Sequence, residues 1–164
     1  MALPVGAEAP DFTLTTLGAE GPELWNLKAH EGEKAIVLLF VPMAFTGVCT
    51  KEFCEITQTM NEFTDLNAEV VGISGDNPFA QAAWAEKEGI KMTLLSDYEH
   101  TVAKDYGVAY DAFLPEKNLT MGGVPKRSAF VIDKAGAIVY SESHDSPGEL
   151  PDFAAIKAKL GELG

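Results

Sequence analysis

The hydrophobic positions change period several times along the chain. "DFTL" at 11–14 opens like a short strand. "KAIVLLFVP" at 34–42 is a continuous apolar run rich in Val, Ile and Leu, the pattern of a central strand covered on both faces. It stops at Pro42, which has no N–H to give to a sheet. From Cys49 the spacing turns helical: Cys49, Phe53, Ile56, Met60 and Phe63 recur at intervals of three and four with polar residues between. "AEVVGIS" at 68–74 predicts a second buried strand. Asp76-Asn77-Pro78 then opens a helix with a capping residue and a proline at its first turn. That helix runs through "FAQAAWAEKEG" and stops at Gly89. "MTLLSD" at 92–97 predicts a third strand, and "HTVAKDYG" a short helix ending at Gly107. "SAFVID" at 128–133, the turn "KAG" and "AIVYSES" at 137–143 form a hairpin signal. "PDFAAIKAKLGEL" at 151–163 is a last amphipathic helix. Segments 18–33 and 109–126, rich in Gly, Pro and polar residues, are expected as loops.

Alternating strands and helices followed by a hairpin argue for an α/β fold, with a mixed central β-sheet flanked by helices. The chain has 164 residues, 46% of them hydrophobic, which fits one domain over 1–164 built on a single core. There is no repeat, low-complexity tract or clear linker.

Charge and composition narrow the partners. With 25 acidic against 12 basic residues, the formal charge is −13. Such a field opposes phosphate backbones and anionic membrane surfaces, so nucleic acid and membrane are not expected partners. No apolar run nears the roughly 18 residues of a membrane span. "MALPVGAEAP" lacks the basic segment and apolar core of a secretory signal, so the expected compartment is cytoplasmic. Two cysteines there do not make a disulfide scaffold.

The candidate chemistry gathers in "VPMAFTGVCTKEFC", residues 41–54, which holds both cysteines, Cys49 and Cys54. Cys49 falls at the junction of a buried strand and a helix. A helix N-terminus offers free N–H groups and the positive end of a dipole, and cysteine pKa values at such sites drop from about 8.5 into roughly 3.5–7.5. Thr46 is placed to donate its hydroxyl to a thiolate or a bound oxygen, and Pro42 to shield the sulfur. The plain alternatives are a buried structural cysteine and a threonine that only caps. A second signal is compositional: eleven lysines stand beside one arginine, Arg127, at the entrance to "SAFVID". Its planar fork of donors suits a thiolate and a second oxygen together. A surface ion pair is the alternative.

"PMAFTGVC" at 42–49 resembles the active-site pattern of the peroxiredoxins: Pro, three residues, Thr, two residues, Cys. "VGAEAPDFTL" at 5–14 and the arginine of "RSAFVID" are similar to that family too. The resemblance implies a thioredoxin-like fold and a thiol peroxidase that reduces hydrogen peroxide and organic hydroperoxides without metal or organic cofactor. It implies that Cys49 is the peroxidatic cysteine, its thiolate becoming a sulfenic acid. Thr46 would then bind the substrate, Arg127 would stabilise thiolate and leaving oxygen, and Pro42 would shield the site. Amides of Val48 and Cys49 would add donors. Glu52 matches a glutamate that orients the arginine, its alternative being an acid favoured in a first helical turn.

Cys54 pulls two ways. Its spacing resembles the resolving cysteine of the bacterioferritin comigratory protein group. "AFTGVC" looks closer to the alkyl hydroperoxide reductase E-like group, whose members work with one cysteine and an outside thiol. Five helical residues give a rise of about 7.5 Å and a rotation of about 140°, whereas a disulfide needs Cα atoms within roughly 7 Å and converging Cβ vectors. Resolution by Cys54 therefore requires unwinding of 48–55. The implied partners are a peroxide and a thiol reductant such as thioredoxin or a glutaredoxin-like protein. A homodimer through loop residues such as Phe45 or Phe79 is compatible with the resemblance.

Other signals carry less. His30, His100 and His144 have no metal-ligand spacing. Asn118-Leu119-Thr120 fits a glycosylation acceptor, which means little without export. Gly122-Gly123 reads as a mobile turn near Arg127, and Trp84 as ordinary core packing. Two other functions stand beside the peroxidase: a redox protein whose Cys49 reports peroxide to a partner, and a disulfide reductase, disfavoured because Cys-x-x-Cys is absent.

Overall fold

A computed structural model describes all of residues 1–164. The chain opens with a hairpin, β1 (Thr13–Gly18) and β2 (Gly21–Asn26), and a single turn of helix, α1 (Leu27–His30). The apolar run forms β3 (Ala35–Phe40), followed by α2 (Gly47–Gln58), α3 (Met60–Asp65) and β4 (Ala68–Ser74). Next come α4 (Pro78–Glu88), β5 (Thr93–Ser96) and α5 (Thr101–Asp105). The closing hairpin is β6 (Ser128–Ile132) with β7 (Ile138–Ser143), and α6 (Phe153–Leu163) ends the chain.

One seven-stranded sheet holds these strands in the order β2-β1-β5-β4-β3-β6-β7. β3 pairs with β4 and β4 with β5 in parallel, and the other pairings are antiparallel. The expected mixed sheet is therefore observed. Every residue of β3 is buried, and alternation sends them to opposite faces. Val37 and Leu39 meet Phe53, Ile56 and Trp84 from α2 and α4 on one face. Ile36, Leu38 and Phe40 meet Phe12, Trp25, Tyr106 and Phe130 on the other. The interior is thus two clusters divided by the sheet, where composition suggested one.

Local signals explain most boundaries. Asn77 caps α4 by accepting from the Ala80 N–H at 2.8 Å, Pro78 is its first residue, and Gly89 ends it in the left-handed region at φ 72°. Residues 18–33 depart from the expected loop. They carry β2 and α1, and the hairpin closes with Gly18 opposite Gly21. β2 lies at the sheet edge with only Trp25 buried, and its Gly, Pro and Glu hide the alternation. Residues 109–126 do form a loop, braced by bridges between Ala109 and Pro125 and between Phe113 and Met121. The Gly122–Gly123 turn within it is tied down by the Gly123 N–H to Tyr110 carbonyl bond of 2.7 Å. No helix is long and apolar enough to cross a membrane.

Candidate active site

The end of β3 and the start of α2 lie beside the start of β6, because β6 runs antiparallel to β3 with Ser128 opposite Phe40. That register brings Arg127, one residue before β6, across the sheet to the sulfur of Cys49. The two are 78 positions apart in sequence, yet the Arg127 Nη2 donates to Cys49 Sγ at 3.3 Å. Both are 1% exposed.

Arg127 uses its whole fork. Nη1 donates to Glu52 Oε1 at 2.9 Å, while Nε and Nη2 donate to the Pro147 carbonyl at 3.1 and 2.8 Å. Burial works against the guanidinium's charge, but Cys49 and Glu52 outweigh it and hold the proton more firmly than on a free arginine. The surface ion pair is ruled out by the burial. Glu52 lies beyond the first helical turn and is fully buried, so its place is explained by Arg127 and not by the helix dipole. Burial raises its carboxyl to about 7 despite the pull of Arg127, and its Oε2 is buried without a partner.

Thr46 is the N-cap residue of α2, but its side chain makes no capping bond. Its hydroxyl donates to the Met43 carbonyl at 2.8 Å. The proton expected to reach a bound oxygen is thus engaged, and Thr46 offers lone pairs to the site instead. The amides of Gly47, Val48 and Cys49 find no acceptor within the protein, and the first paired amide is Thr50, bonded to the Thr46 carbonyl at 3.0 Å. They lie in the first turn of α2, at the positive end of the helix dipole. A cavity of about 260 Å3 opens here, lined by Pro42, Thr46, Val48, Cys49 and Arg127. Phe113, Leu114 and Leu119 from the long loop complete an apolar wall.

Cys54 stands apart. Both cysteines are free, and both lie within intact α2. The Cys54 thiol donates to the Glu88 carbonyl at 3.6 Å, at the end of α4. Burial, and next to it the Glu88 charge, push this thiol up. Sequence reasoning missed Pro147, the apolar wall and one use of Trp84. Its indole N–H donates to Thr50 Oγ1 at 2.9 Å, so it is more than core filling. None of these leaves a local motif: a carbonyl acceptor can come from any residue.

The comparisons agree with this geometry. Residues 5–141 match the model of the AhpC/TSA family. The chain is 34% identical over 152 residues to alkyl hydroperoxide reductase E of Mycobacterium tuberculosis, covering 92% of this chain and 91% of that one. It is 35% identical over 133 residues to chloroplastic peroxiredoxin Q of Populus jackii, covering 81% of this chain and 57% of the relative. The crystal structure of peroxidoxin BcpB from Mycobacterium tuberculosis superposes with a TM-score of 0.82 at 30% identity, covering 98% and 97% of the two chains. The chain belongs to the AhpC/TSA family, the peroxiredoxins, with their thioredoxin-like fold. It is a thiol-dependent peroxidase.

Proposed function

We propose that Cys49 is the peroxidatic cysteine of this enzyme. The observation that carries the reading is the buried contact of the Arg127 guanidinium with both Cys49 Sγ and the Glu52 carboxylate. The Cys49 thiolate attacks the near oxygen of a hydroperoxide. The O–O bond breaks, an S–O bond forms, and the leaving oxygen departs with a proton as alcohol or water. Arg127 and the free amides of Val48 and Cys49 offset the charge that moves from sulfur to oxygen. Thr46 accepts from the peroxide O–H, Pro42 keeps water off the sulfur, and Glu52 holds the guanidinium in plane.

The sulfenic acid is then resolved by Cys54 after the first turns of α2 unwind. The Cys54 thiol displaces water from Cys49, and a dithiol reductant of the thioredoxin or glutaredoxin-like type reduces the disulfide. The spacing of the two cysteines supports this cycle. A second reading, one cysteine recycled by an outside thiol, is supported by the seat of Cys54 against Glu88. The enzyme acts in the cytoplasm, as a homodimer through the end of the sheet that carries Phe45 and Phe79.

The intact mass after an equimolar dose of hydrogen peroxide tests the assignments. We expect the mass loss of an internal disulfide in the wild type, an added oxygen in Cys54→Ser, and no change in Cys49→Ser. Peroxide consumption by Cys49→Ser at the wild-type rate would sink the assignment of Cys49. An added oxygen in the wild type, with Cys54→Ser recycling as fast, would select the one-cysteine cycle.

A further inference from the structure

The turn that delivers Thr46 and α2 is unusual in its backbone. Phe45 sits in the left-handed region at φ 64°, a conformation that costs most non-glycine residues free energy and that the surroundings must hold in place. The residue before it, Ala44, is fixed from outside the turn. Its N–H donates to Asp76 Oδ2 at 2.8 Å. Asp76 lies 32 positions away, in the connection between β4 and α4.

A hydrogen-bond relay stands behind Asp76, and its direction can be worked out. Gln81, 2% exposed, donates from Nε2 to the Leu95 carbonyl at 2.9 Å. A carbonyl only accepts, so this bond fixes the amide's orientation. The same nitrogen donates to Ser74 Oγ at 2.9 Å. The serine hydroxyl is thereby an acceptor on one side and donates its own proton onward, to Asp76 Oδ2 at 2.7 Å. One oxygen of Asp76 thus takes both the serine hydroxyl and the Ala44 amide. Ser96 Oγ pins the backbone of the same residue by donating to the Asp76 carbonyl at 2.6 Å.

We infer that Asp76 is a positioning residue for the peroxidatic turn: its carboxylate, held by Ser74 and Gln81, holds the Ala44 amide and so places Phe45, Thr46 and the first turn of α2 around Cys49. This rests on the assignment of Cys49 given above. Asp76 touches neither sulfur nor substrate. It acts through the backbone, and its loss lets the strained turn relax away from the arginine.

The chemistry of the relay provides the control. Both incoming bonds end on Oδ2, so an asparagine with its Oδ1 in that place can accept both. An alanine can accept neither. We expect Asp76→Ala to slow the second-order oxidation of Cys49 on the order of 10²-fold, the penalty of a small misplacement of reacting groups. Asp76→Asn is expected to recover most of the rate, and Ser74→Ala to fall between the two. Melting curves for each variant separate loss of fold from loss of placement. If Asp76→Ala does not fold, the Asp76→Asn and Ser74→Ala pair carries the test. A folded Asp76→Ala with the wild-type rate overturns the inference, as does an Asp76→Asn as slow as Asp76→Ala. So does a Ser74→Ala as fast as the wild type. Inactivity of Cys49→Ser in the same assay shows that any such failure belongs to Asp76 and not to the assignment of the thiol.

Discussion

One guanidinium serves two buried acidic groups and a carbonyl. Arg127 meets Cys49, Glu52 and Pro147 at once, which a lysine's single ammonium could not do in one plane. Burial raises the Glu52 carboxyl to about 7 even though Arg127 pulls it down. The sign of the consequence follows from linkage. An unfolded glutamate gives up its proton near 4.5, while the native one keeps it until about 7. The native state therefore binds the extra proton between these values, and stability falls as pH rises through that window. Glu52→Gln removes this dependence while keeping an oxygen for Arg127 Nη1. Melting temperatures of wild type and variant, measured from pH 4.5 to 8, should shift in favour of the variant up to about pH 7 and run parallel above it. A constant difference across the range would show that Glu52 is ionised throughout. At this scale the sequence was informative where residue type is scarce or patterned. The lone arginine, Pro42, Thr46 and Cys49 stood out, and they meet in one cavity. Pro147 did not, because its side chain is not what the arginine uses.

The helix that carries both cysteines is seated by contacts that spacing alone foreshadows only in part. Phe53 was legible as an inward-facing residue of α2, but its partner was not. A Cβ on Gly72 of β4 would lie 2.6 Å from the Phe53 ring and 3.0 Å from Leu94. The ring thus lies directly on the bare strand backbone. Gly72→Ala is expected to destabilise the fold by about 1–3 kcal/mol through overpacking, and to slow peroxide reduction because α2 must lift. Adding Phe53→Leu should restore part of both. Denaturant titration together with the peroxide rate checks this, and a fully stable, fully active Gly72→Ala would mean the ring can simply swing aside. A helix–sheet contact of this kind joins residues far apart in sequence, so no local periodicity shows it. The strands were legible because β3, β4 and β6 are wholly or almost wholly apolar. The edge strand β2 was not, since its exposed Pro22, Glu23 and Leu24 look like a loop.

At the scale of the whole molecule, the C-terminal ends of the parallel strands share one end of the sheet. Phe45 follows β3, Phe79 lies in the first turn of α4 after β4, and Tyr98 follows β5. They are 53%, 63% and 66% exposed, large side chains left in water. We expect sedimentation to show a homodimer at micromolar concentration and Phe79→Glu to weaken it, by placing a buried charge at the contact. A monomer at every concentration, in the wild type, would remove the dimer from the proposed function. The division of the interior also bears on how the chain can vary. The cluster of Phe12, Trp25 and Tyr106 lies behind the sheet, and the cluster that includes Cys49, Phe53 and Trp84 lies in front. Substitutions that share no partner add nearly independently. Substitutions in the rear half-core are therefore expected to repack with little epistasis toward the thiol, whereas those at residues packed against Cys49 are coupled to it. The sheet thus acts as an insulator, screening the chemistry before it from repacking behind it.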